Sequence, residues 1–422
     1  MTPFLKTAAE MLVLAAAAAA FGRPPAAFSQ PAFGAREQAV VAAIDEEQAQ
    51  NGPNSKALIA PLTALALLYE EKGDYALSTA ATRRALEVVR VNYGLHSLDQ
   101  APLLEQAVRN EQARGDAGAA WNLEQELLGL VERHPGDLQT VPILHEIADE
   151  RMKILGRYYV GDFPPEIVLG CYYGENCHAG SRGKVIESLL GEAKGYYAKA
   201  IDVLLENDRY ASEEFRELVD AFLRGSYLYG HYLDVGDVLG RVLAYESAHS
   251  SSVASESRIE TLVRIGDWDV LLAGVSNRLM RVQSDDDEGG GRAELVQEPY
   301  DYDAVLDVYE QAYARLMSEH APQASIDAVF APTIPTVLPT VMPNPLATAP
   351  KTESAPYVDV AFEITKYGKS RHVEVRDRTA NATRAQEREL MRLIRTSTFR
   401  PRMVAGRFAD SAPVTLRYYF DE

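Results

Sequence analysis

The 422-residue chain is poor in the residues that most chemistry needs. It holds two cysteines and eight scattered histidines, and no Gly-x-Ser-x-Gly elbow, so a serine or cysteine nucleophile has no visible base. Leu144-His145-Glu146-Ile147-Ala148-Asp149 starts like a zinc-protease helix, but Asp149 stands where the second histidine belongs. Gly180-Ser181-Arg182-Gly183-Lys184-Val185 lacks the first glycine and the magnesium-binding hydroxyl of a phosphate loop. The acidic run from Ser284 to Glu288 lacks the alternating ligands of an EF-hand. These gaps point to a protein that is not an enzyme, with no cofactor, no metal and no small-molecule substrate.

A continuous apolar span of the roughly 20 residues needed to cross a bilayer is also missing. The apolar stretch from Met11 to Phe21 falls well short of that length and follows Lys6, which suits the core of a secretion signal. Ala27-Phe28-Ser29 offers small residues for cleavage before Gln30, so 1–29 is read as a signal peptide and 30–54 as a flexible N-terminal segment. In an oxidising compartment, Cys171 and Cys177 are spaced to close a small loop disulfide near 160–183. A metal site shared with His178 and a pair of free thiols are the competing readings.

What is present is globular: 47% hydrophobic and 24% charged residues, with a net charge of −19. The charge is uneven, because 357–422 carries 13 Lys and Arg against 9 Asp and Glu. Nucleic acid is therefore a poor partner for the acidic body.

From 55 to 317 the pattern is mostly helical. Apolar side chains recur every three or four residues through Leu62, Leu65, Ala66 and Tyr69, and Gly73-Asp74 permits a tight turn before Tyr75 and a second helix containing Ala85. These positions resemble a tetratricopeptide repeat, with Ser78 and Thr82 departing from it. Gly115-Asp116 repeats the turn one repeat length on, with Leu104, Ala120 and Leu128 in register, and Gly236-Asp237 and Gly266-Asp267-Trp268 read as further, degenerate copies. Such helix pairs stack into a superhelix. Tyrosines at 196, 197, 227, 229 and 232 fall at helical spacing and read mainly as interhelix packing.

Prolines every three or four residues mark 318–356 as a linker; its most proline-rich part would span about 75 Å as polyproline II. Beyond it, 357–365 alternates as a strand, Tyr367-Gly368-Lys369 turns, 372–376 runs back, and 384–396 reads as a helix with Leu390, Leu393 and Ile394 on one face. Two more strand segments, 399–408 and 412–420, complete a β-β-α-β-β module. Its Phe399-Arg400-Pro401 followed by Gly406 is similar to the C-terminal domain of the TonB family of energy transducers. The resemblance implies a small α+β domain that binds outer-membrane receptors by adding a strand to a sheet edge, in the periplasm or envelope of a Gram-negative bacterium. Carried to this sequence, the binding surface is the edge near Arg400, Arg402 and Arg407.

The combined expectation is a mostly α tetratricopeptide-like superhelix followed by this domain, acting as a periplasmic adaptor for proteins or extended peptides. A transducer anchored by an uncleaved N-terminus is the alternative. Sequencing the N-terminus of exported protein separates them: Gln30 as the first residue supports the adaptor, and an intact Met1 on membrane-bound protein supports the transducer.

Overall fold

A computed structural model of the chain describes residues 30–162, 182–285, 302–352, 354–404 and 407–420. The signal segment, the Cys171–Cys177 loop and Gly406 lie outside the described residues. Two compact units divide between Leu218 and Val219.

The first unit is helical throughout its described residues. Helix α1 (Gln30–Asn51) occupies the segment expected to be flexible. It packs on α2 (Ile59–Lys72): the Tyr69 hydroxyl donates to Glu37 at 3.0 Å, and the Lys72 ammonium lies over the Phe33 ring. In the stretch Ala39-Val40-Val41-Ala42-Ala43-Ile44 the half-buried residues are Val40 and Ile44, four apart on one helical face, and the three alanines favour the helix.

Helix α2 pairs with α3 (Tyr75–Tyr93), and α4 (Ala101–Arg114) with α5 (Ala117–Arg133). The two hairpins are the same device, one repeat apart. Gly73 and Gly115 take left-handed φ of 78° and 76°, and their N–H groups donate back to Glu70 and Gln112 at 2.9 Å. Asp74 and Asp116 then cap the next helix, each accepting from an N–H three residues on. Even the lead-in repeats: Ser55 and Ser97 cap short 3-10 turns before α2 and α4.

A third copy was hidden by its spacing. Helix α6 (Thr140–Tyr159) ends in Gly161-Asp162, where Gly161 donates to Tyr158 and Asp162 to Arg157 at 3.2 and 3.0 Å. That turn comes later than the Gly73-to-Gly115 interval places it, because α6 runs longer, and its partner α7 is Arg182–Glu206. Arg151, 3% exposed, joins three helices here: it pairs with Glu124 of α5 and Glu192 of α7 from its place on α6. Burial raises the Glu124 pKa in spite of this cation. Ser78 and Thr82, the two departures from the repeat pattern, are fully buried and donate their hydroxyls to the Ala66 and Ser78 carbonyls.

Helix α8 (Glu213–Leu228) crosses the unit boundary. The second unit continues with α9 (Val235–Ala248), α10 (Ser255–Asp285), α11 (Tyr302–Ser318) and α12 (Gln323–Phe330). Gly236-Asp237 lies in the first turn of α9 and Gly266-Asp267-Trp268 lies inside α10, so neither is an interhelix turn. The turn after α8 is Gly230, with φ of 72°. Tyr227 and Tyr232 stack at 6.5 Å, and Tyr232 meets Trp268 at 5.7 Å.

The hairpin turns yield a paired test. Gly115→Ala, which forces a side chain into left-handed backbone, is expected to cost about 1 kcal/mol in denaturant unfolding. Gly129→Ala, in the middle of α5 with open space around it, is expected to be neutral or to stabilise by up to about 1 kcal/mol.

Candidate docking module

The C-terminal module forms where the alternation predicted it. Strand β1 (Tyr357–Ile364) lies between β2 (Ser370–Arg378) and β5 (Val414–Tyr419), giving an antiparallel sheet of order β2-β1-β5. Val358, Val360, Phe362 and Ile364 are fully buried, and they pack on Leu390 and Ile394 of helix α13 (Arg384–Thr396) and on Phe399 and Leu416. Thr383 and Gln386 close a reciprocal capping box at the start of α13. The segment read as a fourth strand, 399–408, is instead two short strands, β3 (Met403–Val404) and β4 (Arg407–Phe408), paired with each other.

The proline-rich segment does not run free. Val337 bridges Phe399, Leu338 donates to the Thr398 carbonyl at 2.9 Å, and Arg400 donates from its backbone to Thr336 at 3.0 Å. Val337 and Leu346 belong to the module's own core. Turns break the expected polyproline extension, with the N–H groups of Met342, Ala347 and Ala355 donating back to Pro339, Asn344 and Thr352; the aliphatic residues between the prolines have a face to bury, and burial prevails over reach.

The three arginines expected at a partner-binding edge divide. Arg400 forms a two-pronged pair with Asp267 of α10, Nε–Oδ1 2.8 Å and Nη2–Oδ2 2.7 Å, with side chains 12% and 1% exposed. Its third nitrogen donates to the Val329 carbonyl at 3.2 Å, and the Tyr309 hydroxyl of α11 donates to the same Asp267 at 2.8 Å. Burial works against the Arg400 charge, but Asp267 outweighs it and raises the pKa. Burial, with Asp267 beside it, holds the Tyr309 phenol well above its ordinary value. Arg402 donates to the Pro332 carbonyl at 2.8 Å, and burial lowers its pKa. Arg407 is exposed on β4. Two of the three cations are thus engaged inside the second unit.

Around this pair, Phe408 packs between Tyr309 and Phe330 with ring centroids 5.6 and 5.9 Å away. Gly368, at φ 71°, lies so close to the Phe399 carbonyl that a Cβ would come within 2.2 Å of it. Asp267 and Tyr309 carry no short-range signal in the sequence; what marks the place of Asp267 is that Ile259, Leu262, Val263, Val270 and Leu271 continue one helical stripe past Gly266.

The two sheet edges differ. Strand β2 carries exposed Arg371, His372, Glu374, Arg376, Asp377 and Arg378, and its register with β1 slips twice. Charges and bulges of this kind discourage pairing by another strand. Strand β5 is regular over its whole pairing with β1. The Tyr419 N–H points away from β1, to the Thr348 hydroxyl at 2.9 Å, and the Phe420 N–H points toward it, to the Pro356 carbonyl. Strand alternation therefore turns the N–H groups of Thr415 and Arg417 outward with that of Tyr419.

Elsewhere, His145 packs edge-on against Tyr197 at 6.0 Å, as a repeat-helix residue would. Among the described residues no three metal-ligating side chains come together, and no helix is long and apolar enough to cross a membrane.

No protein-family model matches the chain, and no curated protein does. Among solved structures it is similar to BtubC (BKLC) from P. vanneervenii at 12% identity and a TM-score of 0.33, over 63% of this chain and 97% of that one. A Podosopora anserina chain of kinesin light chain type, with nearly identical TPR-like repeats, gives 11% identity and a TM-score of 0.29 over the same shares. Scores this low carry no argument. The tetratricopeptide-like body rests on its own turns, at Gly73-Asp74 and again at Gly115-Asp116.

Removing one partner of the buried pair is expected to be costly: Arg400→Met or Asp267→Asn lowers unfolding stability by about 3 kcal/mol or more, while Arg400→Met with Asp267→Leu loses less than the two added together. Nearby Asp269 has its pKa pushed up by burial from 3.8 to about 6. Its charged form is the one that folding disfavours, so the handicap is absent below about pH 4 and complete above about pH 6. Asp269→Asn should therefore stabilise by about 1 kcal/mol at pH 7.5 and change little at pH 4, read as unfolding midpoints.

Proposed function

We propose that this chain is a non-enzymatic adaptor of the Gram-negative cell envelope. Its stacked helix pairs hold one protein partner, and the C-terminal sheet takes an extended segment of another by strand addition. The observation that carries the reading is β5: a regular edge strand whose outward N–H and C=O groups form a template for pairing, beside a β2 edge that is defended. The resemblance of the module to TonB C-terminal domains and the signal-like N-terminus support the same reading. The cations expected to attract the partner are reduced to Arg407, so recognition falls to backbone pairing rather than to an arginine cluster.

An edge-blocking substitution tests this. Thr415→Pro removes an outward N–H without breaking a bond to β1. Full-length wild-type protein should retain an envelope protein that cross-links to β5, and Thr415→Pro should lose that protein while keeping the partner bound by the repeats. Retention of no envelope protein by the wild type would end the adaptor reading.

A further inference from the structure

The docking edge carries its own cover. The Thr348 hydroxyl accepts the outward N–H of Tyr419 at 2.9 Å, so the C-terminal end of the β5 edge is closed by the chain itself. Thr348 is held there by Leu346, which is fully buried in the module core. Asn344 shapes the approach: its Oδ1 accepts from the Leu346 N–H at 3.0 Å, and its Nδ2 donates to the Pro335 carbonyl at 2.8 Å. On either side the side chains face solvent: Pro343, Pro345, Ala347, Ala349 and Pro350 are exposed, and the next buried side chain among the described residues is Ala355.

One buried leucine, the two Asn344 bonds and one hydroxyl therefore hold a short segment over this end of the edge. Among the described residues no side chain covers the backbone of Thr415 or Arg417 in this way, so an incoming strand meets an edge that is open at one end and closed at the other. We propose that 344–348 is a strap over the β5 edge, which must lift before a partner strand can pair along the whole of β5. The proposal rests on the strand-addition reading. It adds that this docking is self-restrained: affinity is set by the fraction of molecules with the strap lifted.

Two variants of the full chain test it. Thr348→Val keeps the shape and removes the acceptor; Leu346→Ala removes the anchor. Residue-resolved amide exchange should find Tyr419 at least about fivefold more protected than Arg417 in the wild type, and level with it in Thr348→Val. The binding probe is a capped hexapeptide of alternating threonine and valine. Both variants should bind it at least about fivefold more tightly than the wild type, as expected when a state closed about four-fifths of the time is freed. Equal binding by all three proteins would overturn the strap and leave the docking edge standing. Binding by none would remove both. Thr348→Val keeps the test valid if Leu346→Ala fails to fold.

Discussion

A carboxylate in the middle of a buried helix face must find a cation, and the second unit is arranged around how Asp267 finds one. Left alone it would carry a desolvation penalty of several kcal/mol. It is satisfied by both prongs of Arg400 and by the Tyr309 hydroxyl. The consequences run outward along the chain. Placing Arg400 fixes Phe399, which completes the module core and bridges Val337. Fixing Val337 lays the proline-rich segment against the module, and that segment brings Leu346 and Thr348 to the edge of β5. One buried pair thus joins helices, connector and sheet into a single piece of packing.

This changes the character of the C-terminal module. Read as a basic sheet on a long tether, it would search space and meet acidic partners by attraction. Anchored, it gives up reach and two of the three arginines expected at its edge. What remains is a sheet with one defended edge and one regular edge, and backbone pairing there selects for extended conformation more than for sequence. The first unit works by a different principle. Its hairpins repeat a glycine turn and an aspartate cap at a regular interval, so each pair buries its neighbour's apolar face and none is stable alone.

Much of this was legible in the residues, because the signals were local. Gly73-Asp74 and Gly115-Asp116 announced their turns, since left-handed backbone followed by a cap has few sequence solutions. The alternation of 357–365 and the apolar stripe of 384–396 gave β1 and α13 nearly to the residue. Errors came where a local signal was overruled at a distance. Gly236-Asp237 and Gly266-Asp267 copy the turn motif but sit in helices: an apolar stripe starts at Val235 and takes Gly236-Asp237 into the first turn of α9, and another runs on past Gly266 inside α10. The prolines of 332–356 pointed to an extended tether, but turns at 339–342, 344–347 and 352–355 and the burial of Val337, Leu338 and Leu346 decided where the chain lies. Arg400 looked like a surface cation because its partner is 133 residues away, a separation that no motif spans.

Limited proteolysis of the full-length protein tests the anchored module most directly. If the proline-rich segment and the module are packed as one, a broad-specificity protease at low dose should leave 336–348 joined to the module. Early cuts would fall outside 302–420, and Arg400→Met should expose 332–356 to cleavage. Rapid cutting within 332–356 of the wild-type protein, freeing an intact module, would show that the segment is a tether after all and would contradict the account.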